Sequence, residues 1–166
     1  MEQQPSWPCA LWIVRHGESI GNLAAARAIA AGAPAIDLPA GELDIPLSPL
    51  GERQARALGR WFAALPAGDL PTALLASPYA RARQTAELAR ATAGIAAGVR
   101  LDERLREKDL GILNRLTRVG VAQHYPEQLE LRARMGTFYY RPPGGESWCD
   151  SVTEEVNAAE VANRPA

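Results

Sequence analysis

The chain has 166 residues, 47% of them hydrophobic and 22% charged, with 18 Lys and Arg against 19 Asp and Glu for a net charge of −1. That length and apolar content allow one core and one domain. The near-neutral balance argues against nucleic acid or an anionic membrane as partner, so positive groups must act locally. Cys9 and Cys149 read as reduced thiols rather than a disulfide framework, which suits a cytoplasmic protein. The first apolar run is only four residues long, too short for a signal peptide.

Residues 1–9, rich in Gln and Pro, read as a loose arm ahead of Leu11-Trp12-Ile13-Val14, an apolar run expected to form a buried strand. Arg15-His16-Gly17-Glu18-Ser19 follows, with Asn22 just beyond. An imidazole can attack phosphorus, a guanidinium can hold phosphate oxygens as a bidentate fork, and a Gly lets the backbone turn closely. Alone, such a tripeptide is as compatible with a core histidine beside a surface ion pair. Gly32 through Gly41 reads as a surface loop of the kind that can shape a pocket. Ser48 then supplies an N-cap and Pro49 a first helical residue, with Leu58, Trp61, Phe62 and Leu65 as the apolar stripe.

Ala73–Ala76 reads as a second strand, and Ser77-Pro78 repeats the helix-start signal before Arg81-Ala82-Arg83-Gln84-Thr85. Cations in a first helical turn oppose the helix dipole unless an anion reverses the local field. Arg83 reads as solvated. A strand near Val99 to Leu101 precedes Leu105-Arg106-Glu107-Lys108-Asp109-Leu110-Gly111. Gln123-His124-Tyr125-Pro126-Glu127 reads as the end of one helix and the start of the next. Tyr139 and Tyr140 read as core. Arg141-Pro142-Pro143-Gly144-Gly145-Glu146-Ser147 leads into a capping box, Ser147 to Asp150, whose stripe of Val152, Val156 and Ala159 ends at Asn163 and Pro165. There is no repeat, no metal-spaced His/Cys cluster and no nucleotide-binding glycine loop.

Five segments in this order resemble the histidine phosphatase superfamily, the phosphoglycerate mutase-like proteins: RHGE at 15–18, D-x-P-L-S-x-x-G at 44–51, S-P-x-x-R-A-x-Q-T at 77–85, L-x-E-x-x-x-G at 105–111 and P-G-G-E-S at 143–147. The resemblance covers Val14 to about Asp150 and implies a three-layer α/β/α sandwich. The alternation of short strands and helices independently supports the α/β class. The first strand and the Ala73–Ala76 strand are expected to lie parallel, with site residues at their C-terminal ends.

By the same resemblance His16 is the nucleophile that becomes phosphohistidine, Arg15 and Arg81 clamp the phosphoryl oxygens, and Asn22 is a further phosphate contact. Glu107 is the acid that protonates the leaving oxygen, with Glu18 and Glu103 as rival carboxylates outside the matching position. No cofactor and no metal are implied. The partner is a small phosphorylated substrate or phosphate.

The sequence departs from the pattern after Asp150, where members continue into a central strand ending in a second catalytic His. Residues 151–166 contain none and read as a tail outside the family pattern, a short helix or disordered. His124, the one other histidine, reads as an ordinary helix-end residue rather than a substitute. The expectation is therefore a shortened domain lacking its last sheet strand, with an uncovered edge open to self-association. The expected function is a phosphomonoester hydrolase acting through phosphohistidine. A catalytically impaired phosphate-binding remnant and a phosphoglycerate mutase are the alternatives.

Overall fold

A computed structural model describes residues 8–38 and 41–152. Helix α1, Ile20–Ala30, begins at Ser19, whose side chain accepts from the Asn22 N–H while the Asn22 carboxamide oxygen accepts from the Ser19 N–H. Helix α2, Pro49–Ala63, begins at Ser48, whose hydroxyl accepts from the Gly51 N–H. Strand β1, Leu74–Ala76, runs into α3, Ala80–Ala93, which returns the chain to strand β2, Val99–Leu101. The two strands pair in parallel, Leu74 opposite Val99 and Ala76 opposite Leu101, and α3 packs on both. A strand, a crossover helix and a parallel strand make the α/β unit that the alternation predicts.

The most extensive helix contact joins α2 to α3. It is built on small residues: the buried line of α2 is Gly51, Ala55, Gly59 and Phe62. A Cβ on Gly59 would stand 2.5 Å from the Ala89 carbonyl oxygen, so the two backbones touch. The expected stripe is thereby displaced. Phe62 is buried, but Leu58 is half-buried, Trp61 is exposed and Leu65 lies past the helix end. Bulky spacing marked the right helix and the wrong ridge, because close helix approach requires small side chains.

Helix α4, Arg118–His124, and helix α5, Pro126–Met135, meet at Tyr125 as the sequence suggests. The 33–36 segment is bonded to the start of α4: Thr117 donates its N–H to the Pro34 carbonyl and its hydroxyl to the Ala33 carbonyl. Ser147 and Asp150 form the expected reciprocal cap on a helical turn at 148–152. Val156, Ala159, Asn163 and Pro165, the rest of the expected C-terminal helix and its stop, lie outside the described residues. No described helix is long and apolar enough to cross a membrane.

Three further expectations fail. Tyr139, read as core with Tyr140, is 64% exposed, while Tyr140 is buried. Leu11–Val14 is not a strand, and β1 pairs with β2 rather than with it. Its residues are exposed, Ile13 by 90%. Strand geometry needs a neighbour to take up backbone N–H and C=O groups, and none of the described residues forms a ladder with this segment. What holds it is aromatic: the Trp12 ring meets Trp61 and Phe62 edge-on, with centroids 5.2 and 5.9 Å apart. Ser77 also does not cap a helix. Helix α3 starts behind Tyr79 without a side-chain cap, and the Ser77 hydroxyl is buried with no partner among the described residues.

Candidate active site

The loop after Val14 is fastened to the starts of α2 and α3 by backbone contact and short hydrogen bonds. A Cβ on Gly51 would lie 2.0 Å from the Glu18 carbonyl oxygen, and one on Gly17 would lie 2.6 Å from the Gly51 oxygen. Only glycine permits that approach. The Glu18 carboxylate accepts from the Ser48 hydroxyl at 2.6 Å, and its carbonyl accepts from the Ser48 N–H at 2.8 Å. The Gly17 N–H donates to the Thr85 hydroxyl at 3.1 Å, which donates onward to the Arg81 carbonyl at 2.7 Å. Gln84 accepts from the Leu47 N–H. Three of the five sequence segments are thus one hydrogen-bonded assembly.

At its centre lies the Arg81 guanidinium, 10% exposed. Its Nε donates to His16 Nε2 at 3.2 Å, Nη1 to the Glu42 carbonyl at 3.1 Å and Nη2 to Glu107 Oε2 at 2.8 Å. Its carbon stands 4.4 Å from the Tyr79 ring centroid, a cation–π contact. Burial, with Glu42 nearby, raises the Tyr79 phenol above its ordinary value, so the ring stays neutral under the cation. The partners of the His16 ring define its tautomer. A guanidinium N–H can only donate, so Nε2 accepts. The Gly17 carbonyl, 2.7 Å from Nδ1, can only accept, so Nδ1 carries the proton. A histidine so held presents a lone pair on Nε2.

Glu107 reaches Arg81 from a loop anchored by the fifth segment. The Glu146 carboxylate accepts from the Arg106 guanidinium and the Asp109 N–H, and the Glu146 N–H donates to the Asp109 carbonyl. Gly111 adopts φ +52°, where a Cβ would also strike the Pro143 carbonyl oxygen at 2.1 Å. The two glycine-bearing segments therefore interlock, and Glu107 projects from the junction.

The remaining expected residues divide. Arg15 is exposed, lines a cavity of about 350 Å³ with His16, Gln54 and Thr85, and has no carboxylate partner among the described residues. Asn22 is exposed, and its carboxamide oxygen is taken by the α1 cap. Glu18 is bound to Ser48, and Glu103 is exposed on a separate turn. His124 is exposed at the end of α4 with its ring beside Tyr125, and lines neither of the cavities described. Arg83 is exposed as expected. No three His, Cys, Asp or Glu among the described residues are grouped to hold a metal. Thr85, Gln84, Tyr79 and Glu146 received no role from the sequence. All four stand in segments whose spacing is recognisable, Tyr79 at an unspecified position, but only a structure shows whom they touch.

The sequence pattern of the histidine phosphatase superfamily, branch 1, matches residues 11–160, and the chain belongs to that family. It is 35% identical over 155 residues to a phosphoglycerate mutase-like protein of Arabidopsis thaliana, covering 86% of this chain and 49% of that one. It is 32% identical over 149 residues to a probable phosphoglycerate mutase of Citrobacter koseri, covering 90% and 60%. The chain thus spans about half to three fifths of the length of these curated relatives. A mycobacterial glucosyl-3-phosphoglycerate phosphatase solved with VO3 superposes with a TM-score of 0.64 at 30% identity, covering 91% of this chain and 62% of that one. A putative α-ribazole-5'-P phosphatase from Escherichia coli shares the fold at TM-score 0.67 and 21% identity, covering 90% and 64%. Members of this family are phosphatases or mutases.

Proposed function

We propose that the chain hydrolyses small phosphomonoesters through a phosphohistidine at His16. The observation that carries the reading is the pair of contacts on the His16 ring, from which its tautomer follows. Nδ1–H is fixed on the Gly17 carbonyl, and the Nε2 lone pair is aimed at the guanidinium that a phosphate dianion would occupy. Phosphate oxygens take the N–H groups of Arg81 and Arg15, and Asn22 has its carboxamide nitrogen to offer. Nε2 then attacks phosphorus as the P–O bond to the leaving group breaks. Glu107, as the acid, gives its proton to the departing oxygen. In the second half, the Glu107 carboxylate takes a proton from water, whose oxygen attacks phosphorus and releases His16. Positioning and charge neutralisation supply most of such catalysis.

The Arg81–Glu107 ion pair is the resting arrangement, and substrate oxygens replace the carboxylate on Nη2.

A second reading, phosphate binding with slow turnover, is supported by the place of His124, which stands at the end of α4 beside Tyr125 and is not among the described partners of the Arg81 guanidinium. Loss of one donor to the transferring group costs about a hundredfold to a thousandfold in rate. A mutase is the less supported form, since it must retain the phosphoryl group against water. Turnover of para-nitrophenyl phosphate by the full chain and by His16→Ala decides between them. Hydrolysis that His16→Ala abolishes supports the phosphatase. Phosphate binding without hydrolysis supports the second reading. Hydrolysis equal in both proteins removes His16 from the mechanism.

A further inference from the structure

Glu107 also lines a second cavity, of about 230 Å³, which it shares with Lys108, Leu110, Arg132, Tyr140 and Trp148. Two cations face this space. The Lys108 ammonium donates to the Glu146 carbonyl at 3.1 Å and lies 5.6 Å from the Trp148 ring centroid. An ammonium has three donors, and no carboxylate among the described residues forms an ion pair with Lys108 or Arg132. The nearby carboxylates are committed elsewhere: Glu146 to Arg106, Asp150 to Arg141 and the Ser147 cap, Glu107 to Arg81. Burial, and then the Arg132 charge, lower the Lys108 pKa from its ordinary value, against the opposing pull of the Glu146 and Asp150 carboxylates. Leu110 and the Trp148 face add an apolar wall.

We propose that this cavity seats the organic part of the substrate, and that the substrate is a phosphomonoester with a small apolar body and a second anionic group, carboxylate or phosphate, held by Lys108 and Arg132. The proposal rests on the assignment of the phosphoryl group to His16, because Glu107 is shared by both spaces and its acid role places the leaving oxygen between them. An anion between the two cations relieves their repulsion and forms charge-assisted hydrogen bonds. A ring or short chain matches the volume.

The test reads the cavity with and without the phosphate site. Benzoate is titrated into the full chain by Trp148 fluorescence, with Trp148→Phe subtracting the other tryptophans. Saturable quenching is expected, weakened about tenfold or more in Lys108→Gln and in Lys108→Met with Arg132→Met. Binding of 4-carboxyphenyl phosphate and of 1,4-phenylene bisphosphate is then compared with that of the neutral 4-carbamoylphenyl phosphate. A gain of about tenfold for one or both anions identifies the second group as carboxylate, phosphate or either. No benzoate site together with equal affinity for all three esters overturns the proposal, as does a gain that survives both Lys108 variants. If the esters bind through His16 without such a gain, the cavity assignment fails and the catalytic reading stands. If benzoate binds but His16→Ala leaves ester binding and hydrolysis unchanged, the anion site stands and the catalytic reading fails.

Discussion

The Nε of Arg81 donates to Nε2 of His16 at 3.2 Å across 65 intervening sequence steps, and the same guanidinium holds Glu107 at 2.8 Å. Arg81 thus carries a nucleophile-type nitrogen and an acid-type carboxylate on two of its edges. Under the proposed function, phosphate oxygens would compete for both positions.

Glu107→Gln is therefore expected to separate binding from chemistry. Removing the carboxylate charge frees Nη2 and lessens repulsion of a dianion, so inorganic phosphate should bind several-fold tighter by calorimetry. Turnover should nevertheless fall by about a hundredfold or more, because no proton reaches the leaving oxygen. Weaker phosphate binding with turnover unchanged contradicts the assigned role.

Gly51→Ala tests the backbone contact beneath the site. The added methyl would meet the Glu18 carbonyl oxygen at 2.0 Å, and the Glu18 atoms around it are main chain that cannot rotate away. A loss of about 3 kcal/mol is expected in urea denaturation, together with weakened phosphate binding. Gly68→Ala, with nothing within 4 Å of its added Cβ, is the control and should change stability by less than about 0.5 kcal/mol.

Much of the site was legible because its residues sit at fixed offsets within short segments. His16, Arg81 and Glu107 were each marked by such a segment, and the structure brings those three together. The caps at Ser48 and Ser147 and the strand at Val99–Leu101 were legible for the same reason, since their signals are local. What failed depended on neighbours. Leu11–Val14 has strand composition, but pairing is a property of two segments. The Gly51-Ala55-Gly59 line of α2 carries no hydrophobic signal, yet it is the packed ridge. Glu146 and Thr85 act through partners 37 and 68 residues away, distances that no pattern of spacing reports.

The uncovered Leu11–Val14 segment should make the chain associate. Four apolar side chains, each at least 42% exposed, lie on a segment that forms no ladder with any described residue. Sedimentation is expected to show concentration-dependent oligomers that Ile13→Lys reduces. Ile13 is exposed, so the change should leave stability within about 0.5 kcal/mol. A chain that stays monomeric at all concentrations contradicts this expectation.

Acid should weaken the fold through Asp102 and Asp150. Hydrogen bonds from the Arg104 side chain hold Asp102, and those from the Ser147 hydroxyl and N–H hold Asp150, below the ordinary carboxyl value of 3.8. The native state then binds fewer protons than the unfolded chain near and below that value. Their contribution is complete above it and is lost as the pH falls through the lowered values. Urea midpoints measured from about pH 5 downward should decline, and Asp102→Asn with Asp150→Asn should flatten the decline. An unchanged slope would remove these two carboxyls as its cause.

Phosphorus should bond to His16 Nε2 during turnover, and rapid quenching with a radiolabelled phosphomonoester reads that bond. Protein-bound phosphate is expected that is labile in acid and stable in alkali, maps to the peptide carrying His16 and is missing from His16→Ala. Hydrolysis with no such label, or equal label in His16→Ala, would contradict it.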